Sequence, residues 1–364
     1  MIIKKGLILS IFMVIFSFLN LKAQDEKSIS DYFKYFSING YLDAYYTYDS
    51  DKDKVVRQFS SISPERDQFK INTAQISVKY NSDYARAVVT FHAGDLAQYN
   101  WPSEQRIIQE ANLGFRPVDH LWIDMGYFFT HMGTESALPK NNFFNTLALI
   151  SYFEPFYQSG IKVTYDISEK FYAQIHLLNG YNVFSDNNKN KSFGMQLGYK
   201  VNDDMNLTYN NIIGNEMPSS VPGKTRFANN FVFSFSPSDK IDFLAGVDIC
   251  SQQNSKLKSP DETAILYGGL ISARYKVLPV FNISGRLEYY NDADAILSNV
   301  IADTDGNLTG LKAFGVTLGT EYRPIDKMYV RLESRLISSK DNQKIFYDNS
   351  NKRIEVTLSS GIEF

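Results

Sequence analysis

Sixteen times along this chain, apolar and polar side chains alternate strictly over about ten residues. In "FNISGRLEYY", Phe281, Ile283, Gly285, Leu287 and Tyr289 fall on one face, opposite Asn282, Ser284, Arg286, Glu288 and Tyr290. "SFGMQLGYKV" from Ser192 and "IDFLAGVDIC" from Ile241 behave alike, and the chain ends on the same pattern at Phe364. A period of two makes a strand with one greasy and one polar face. The runs lie near 36–48, 68–80, 84–94, 106–116, 121–130, 158–166, 170–178, 191–201, 205–213, 226–236, 241–250, 263–276, 281–290, 311–322, 328–337 and 353–364.

The connections between these runs are alternately long and short. Three of the short ones share a phrase: "GFRPVDHLW" from Gly114, "SFSPSDKID" from Ser234 and "EYRPIDKMY" from Glu321. Four others keep its position, after Tyr80, Tyr165, Tyr199 and Tyr275. Repetition of a phrase implies repetition of a structural unit. The Pro–Asp pair is read as the turn itself, since Pro presets φ and Asp bonds its own backbone. The aromatic before each turn lies on the greasy face, where outward aromatics at strand ends form an interfacial girdle. Soluble β-sandwiches also alternate, but with strands of about five or six residues. An even set of ten-residue strands predicts an all-β fold, a transmembrane antiparallel up-and-down β-barrel of about 16 strands. Short turns would face the periplasm and long loops the exterior.

The N-terminus fits export. "MIIKK" is basic, "GLILSIFMVIFSFLNL" is apolar, and "LKAQD" offers small residues for cleavage after Ala23. Residues 1–23 are read as a signal peptide, 24–35 as a short periplasmic segment and 36–364 as the barrel. Removing the leader takes Lys4, Lys5 and Lys22 from 37 basic residues and leaves the 40 acidic ones, so the net charge falls from −3 to about −6. That balance argues against nucleic acid as a partner. A single cysteine, Cys250, excludes an intramolecular disulfide. No nucleotide-binding or metal motif is found, and none of the four histidines has ligand spacing. No enzyme, cofactor or metal is expected. The acidic "DSDKDK" from Asp49 is read as a solvated surface loop.

Two stretches carry a resemblance. "NNFFNTLALISYFEPFYQSGIKVTYDIS" (Asn141–Ser168) and "HLLNGYNVFSDNNKNKSFGMQLGYK" (His176–Lys200) resemble the OmpL-like β-barrel porins of Bacteroidetes-type outer membranes. The shared pattern is an Asn-aromatic stretch, a Pro and aromatic before Gly160, and an Asn-Gly-aromatic corner at Asn179–Tyr181. The resemblance implies an outer-membrane channel in a Gram-negative cell. Its partners would be outer-membrane lipids, small hydrophilic solutes or ions, and, through Phe364, the barrel-assembly machinery; a homotrimer is possible.

The connection at 131–157 is the longest and is unusually apolar for a loop. Long loops are usually functional, so this one is expected to fold inward and narrow the pore. Glu135 and Lys140 would lie near the constriction and Phe143 and Phe144 would wedge the loop on the wall. Alternation further nominates lumen-facing charges: Arg86, Glu110, Asp124, Lys162, Arg274, Arg286, Glu288, Arg331, Glu333, Arg335, Arg353 and Glu355. Mixed signs predict no strong ion selectivity, and Arg–Glu ladders that stiffen the wall are an equally available reading. Passive diffusion is the expected function. A substrate-specific channel, for oligosaccharide or peptide, and a plugged surface barrel are the alternatives.

Overall fold

In lipid every backbone donor needs a partner within the protein, so a strand that crosses cannot leave a free edge. The computed structural model, which describes residues 33–186 and 188–364, satisfies this by closure. The expected leader, 1–23, and most of the segment 24–35 lie outside the described residues. In the segment before Ile38, the Phe33 and Phe36 rings lie 6.2 Å apart.

The barrel strands are β1 (Phe36–Asp49), β2 (Phe69–Asn81), β3 (Ala85–Ala93), β4 (Ile108–Val118), β5 (Leu121–Phe129), β6 (Tyr157–Asp166), β7 (Phe171–Leu178) and β8 (Ser192–Asn202). They continue as β9 (Met205–Asn215), β10 (Thr225–Ser238), β11 (Ile241–Gln252), β12 (Ala264–Leu278) and β13 (Phe281–Asn291). A short hairpin, β14 (Ile301–Ala302) with β15 (Leu308–Thr309), stands outside the wall, which resumes with β16 (Lys312–Ile325), β17 (Met328–Ser339) and β18 (Lys352–Glu363). Each wall strand pairs with its sequence neighbours, and β1 meets β18 antiparallel, from Tyr41 opposite Glu363 to Asp49 opposite Glu355. All sixteen expected strands are present. Two short helices, Asp95–Asn100 and Leu149–Phe153, and the small hairpin lie in the long connections.

The two faces separate as alternation requires. Along β13, Leu287 and Tyr289 are exposed on the outside, while Arg286, Glu288 and Tyr290 between them are buried on the inside. The long loops carry the interior apolar clusters. One gathers Leu149 and Ile150 with Tyr290 and Leu266; another gathers Trp101, Phe156, Tyr157 and Phe184.

Two expectations need correction. Pro117, Pro237 and Pro324 are not turn residues. Each lies in a break of ladder register, between Phe115 and Val118, Phe235 and Ser238, and Tyr322 and Ile325. Proline has no N–H for the ladder, and a bulge is where none is needed. The turn is the pair that follows, such as Asp119–His120, where His120 takes φ 66°. The residue before each proline donates sideways to the preceding hairpin: Arg116 N to Tyr84 O (2.9 Å), Ser236 N to Asp204 O (2.8 Å), and Arg323 N to Val280 O (2.8 Å). The repeated phrase thus stitches neighbouring turns together. Secondly, Asp49 is not solvated. It is fully buried, with Arg353 Nε at 3.5 Å and Arg57 Nη1 at 3.9 Å.

Candidate pore lining

The connection between β5 and β6, residues 130–156, has few backbone partners of its own, so its amides and carbonyls must be satisfied elsewhere. Wall charges do this. Glu333 on β17 accepts from Asn145 N (2.6 Å) and Thr146 N (2.9 Å). Glu288 on β13 accepts from Leu149 N (2.6 Å). Arg331 donates to the carbonyls of Pro139 (2.7 Å) and Asn142 (2.9 Å), and Arg286 to that of Thr146 (2.7 Å). The loop therefore lies against the inner face of β13, β16 and β17.

The four loop residues nominated from sequence each find a partner. Glu135 accepts from Arg286 Nη1 (2.7 Å) and Ala148 N (2.6 Å). Lys140 donates to Glu363 (2.6 Å), above the Tyr41 ring. Phe144 is buried, with the Arg286 guanidinium 5.0 Å from its ring centre; Gly319 makes room for it, since a Cβ there would stand 3.1 Å from the ring. Phe143 is half-buried beneath Arg274, 4.5 Å away.

Behind the loop, the Arg–Glu ladder forms one buried network. Arg335 grips Glu288 with two bonds (2.8 and 2.9 Å) and reaches Glu355 across the β17–β18 pair (3.3 Å). Arg353 donates to Glu355 (2.8 Å), and Arg57, from the first long loop, donates to the same carboxylate. These arginine side chains are at most 1% exposed. Arg57 and the loop amides escaped the sequence reading, because strand alternation says nothing about loops.

On the opposite wall the charges remain partly accessible. Asp124 on β5 accepts from Arg86 Nε (2.6 Å) and Nη2 (2.5 Å) and has Lys162 Nζ at 4.0 Å. It reaches Arg86 across β4 because Gly114 lies between them: a Cβ on Gly114 would stand 2.1 Å from Asp124 Oδ1. Glu110 accepts weakly from Phe129 N (3.4 Å). Arg274 holds Asp242 with Nε (2.9 Å) and Nη2 (2.8 Å). A cavity of about 490 Å³ lies between the loop and the short-turn ends of β10–β12, lined by Thr134, Glu135, Asn141, Phe143, Ser234, Ser236, Asp242 and Arg274 among others. At its rim the side chains of Glu154 and Asp248 share the amide of Asn230 (3.1 and 2.7 Å). Burial, and then the charge of Asp248, push the Glu154 carboxyl well above its ordinary range. His131 and His176 stack at 3.9 Å between rings, with His131 held by Gln158 and the Asn211 carbonyl. No group of three or more metal-ligating side chains occurs among the described residues.

A closed sixteen-stranded wall, greasy outside and charged within, is the architecture of an outer-membrane porin. The chain matches the family described as "Putative beta-barrel porin-2, OmpL-like" over residues 35–364, and it belongs to that family. No curated protein matches the sequence. Similar solved structures include the outer membrane channel DcaP of Acinetobacter baumannii, with 10% identity, TM-score 0.61, and coverage of 90% of this chain and 97% of that one. A loop-deletion mutant of OmpT of Vibrio cholerae has 11% identity, TM-score 0.60, and 90% and 99% coverage. In-vitro folded OmpT in its trimer form has 12% identity, TM-score 0.56, and 90% and 99% coverage. At these identities the likeness is one of fold.

Proposed function

We propose that this porin-family barrel conducts small hydrophilic solutes or ions passively across the outer membrane, with the 130–156 loop as its constriction. One observation carries the reading. The loop is fastened to β13 and β17 on one side and, through His131, Thr134 and Glu154, to β8–β10 on the other, and wall side chains beside it, such as Lys162, Gln174, Ser234 and Ser236, keep partial exposure. Filtering would act by size and charge, without chemistry. The nominated charges divide by this reading. Arg86, Glu110, Asp124, Lys162 and Arg274 line the path, whereas Arg286, Glu288, Arg331 and Glu333 hold the loop, Arg335 braces Glu288, and Arg353 and Glu355 hold the first long loop through Gln58 O and Arg57.

Export would remove residues 1–23 and leave 24–35 in the periplasm. Phe364, 68% exposed as a residue, is available to the assembly machinery. A trimer is the proposed assembly, as in the trimer form of OmpT. The apolar clusters inside the barrel favour a second reading, a plugged barrel whose loops bind a surface partner. Single-channel recording of the refolded protein in a planar bilayer separates the two. Steady current supports the pore, and a folded barrel that passes none supports the plug.

A further inference from the structure

We propose that the pore prefers anions, and that the preference arises in three overcharged carboxylate clusters near the short-turn end, not in the arginine ladder. This rests on the pore reading above. Each cluster sets two cations on one hidden acid. Asp124 faces Arg86 (2.5 Å) and Lys162 (4.0 Å). Asp242 faces Arg274 (2.8 Å) and Lys276 (3.4 Å). Glu321 faces Arg323 (2.7 Å) and Arg331 (2.6 Å).

Two cations on one carboxylate leave one net positive charge, offset in part at Glu321 by Asp43, which is buried on β1 in the field of Arg331. Accessibility is biased the same way. The side chains of Asp124, Asp242 and Glu321 are 1%, 12% and 4% exposed, against 23% for Lys162, 38% for Lys276 and 30% for Arg323. An ion passing through would meet ammonium and guanidinium groups while the carboxylates stay behind them. The one other strand acid nominated on that side, Glu110, stands in the fields of both Lys162 and Lys79. The ladder contributes little, because Arg57, Arg286, Arg335 and Arg353 are sealed against Asp49, Glu135, Glu288 and Glu355 with their side chains at most 3% exposed. The clusters lie around the wall, on β3–β6, β11–β12 and β16–β17, so their fields add across a narrow, low-dielectric lumen. The sign is opposite to the chain's net charge of −3, which includes exposed loops.

The test is the reversal potential of the full-length refolded protein in a planar bilayer under a KCl gradient. The wild type should reverse on the chloride side of zero, more strongly as salt falls and screening weakens. The triple variant K162Q/K276Q/R323Q leaves each carboxylate its nearer arginine, so each cluster loses its surplus positive charge and remains paired. It should lose the anion preference, and each single variant should lose part of it should the triple variant not fold. Current that reverses at zero or on the potassium side overturns the proposal but leaves the pore reading intact. So does a triple variant with wild-type selectivity. Folded protein that carries no current removes both.

Discussion

Single side chains in this barrel matter mostly by what they leave unpaired when removed. Arg335 holds two buried carboxylates, Glu288 and Glu355, on neighbouring sides. Arg335→Met would take the two-bond partner from Glu288, which keeps Leu149 N and Arg286 at 3.7 Å, while Glu355 keeps Arg57 and Arg353, so the loss should lie at or below the ~3–5 kcal/mol of a fully broken buried pair. Thermal unfolding in detergent should show that loss. Arg335→Lys should recover only part of it, because an ammonium cannot match the two-bond grip on Glu288. Glu154 responds to pH. Its folded carboxyl is raised, so the fold favours the protonated form. Its contribution to stability is complete below its ordinary value of 4.5 and is lost as pH rises from there through the raised one. The melting temperature should therefore fall over that rise in the wild type, and fall less in Glu154→Gln.

Among elements, the inner loop is the one whose structure depends most on others. Its hold on the wall runs through Glu333, which accepts two loop amides. Hydrogen bonds to a charged group contribute about 1.5–3 kcal/mol, so Glu333→Gln should loosen the loop while the strand ladder stays intact. Single-channel current should become noisier and larger, with little change in the circular dichroism of the barrel. A quiet current of wild-type size would mean that the loop does not bound the path. The short-turn hairpins are built differently. Their bulge amides bond to adjacent turns, and their prolines occupy the slots that need no donor. Local residue choice and global closure agree there, which is the consistency expected of a foldable sequence.

For the molecule as a whole, closure is the step on which every strand depends. β18 completes the ring by pairing with both β17 and β1. At its end Phe364 N donates to Gly40 O (3.1 Å) and Gly40 N to Phe364 O (2.7 Å), and the Phe364 ring covers Gly40 so closely that a Cβ there would be 2.3 Å away. Phe364→Ala keeps the backbone pair and loses only the ring. It should refold in detergent much as the wild type does, yet reach the outer membrane in reduced amount, measured as folded protein in membrane fractions. Equal loss in both settings would assign the ring to packing alone.

Strand number, strand limits and inward or outward facing follow from the sequence by itself, because lipid outside and water inside impose a period of two on every residue that crosses. Sixteen strands were legible within a few residues for that reason, as were the sides taken by Arg86, Asp124 and Arg286. The tertiary structure alone decided which inward charges meet. Arg57 from a loop joins Glu355 from the last strand, 298 positions away. Gly114 opens the gap by which Asp124 reaches Arg86, and one loop covers the charges of β13 and β17 and the inner face of β12 while leaving Arg86, Lys162 and Arg274 partly accessible. Periodicity orients each side chain on its own strand; pairing and exposure depend on the curvature of the closed wall and the course of the loops, which carry no period.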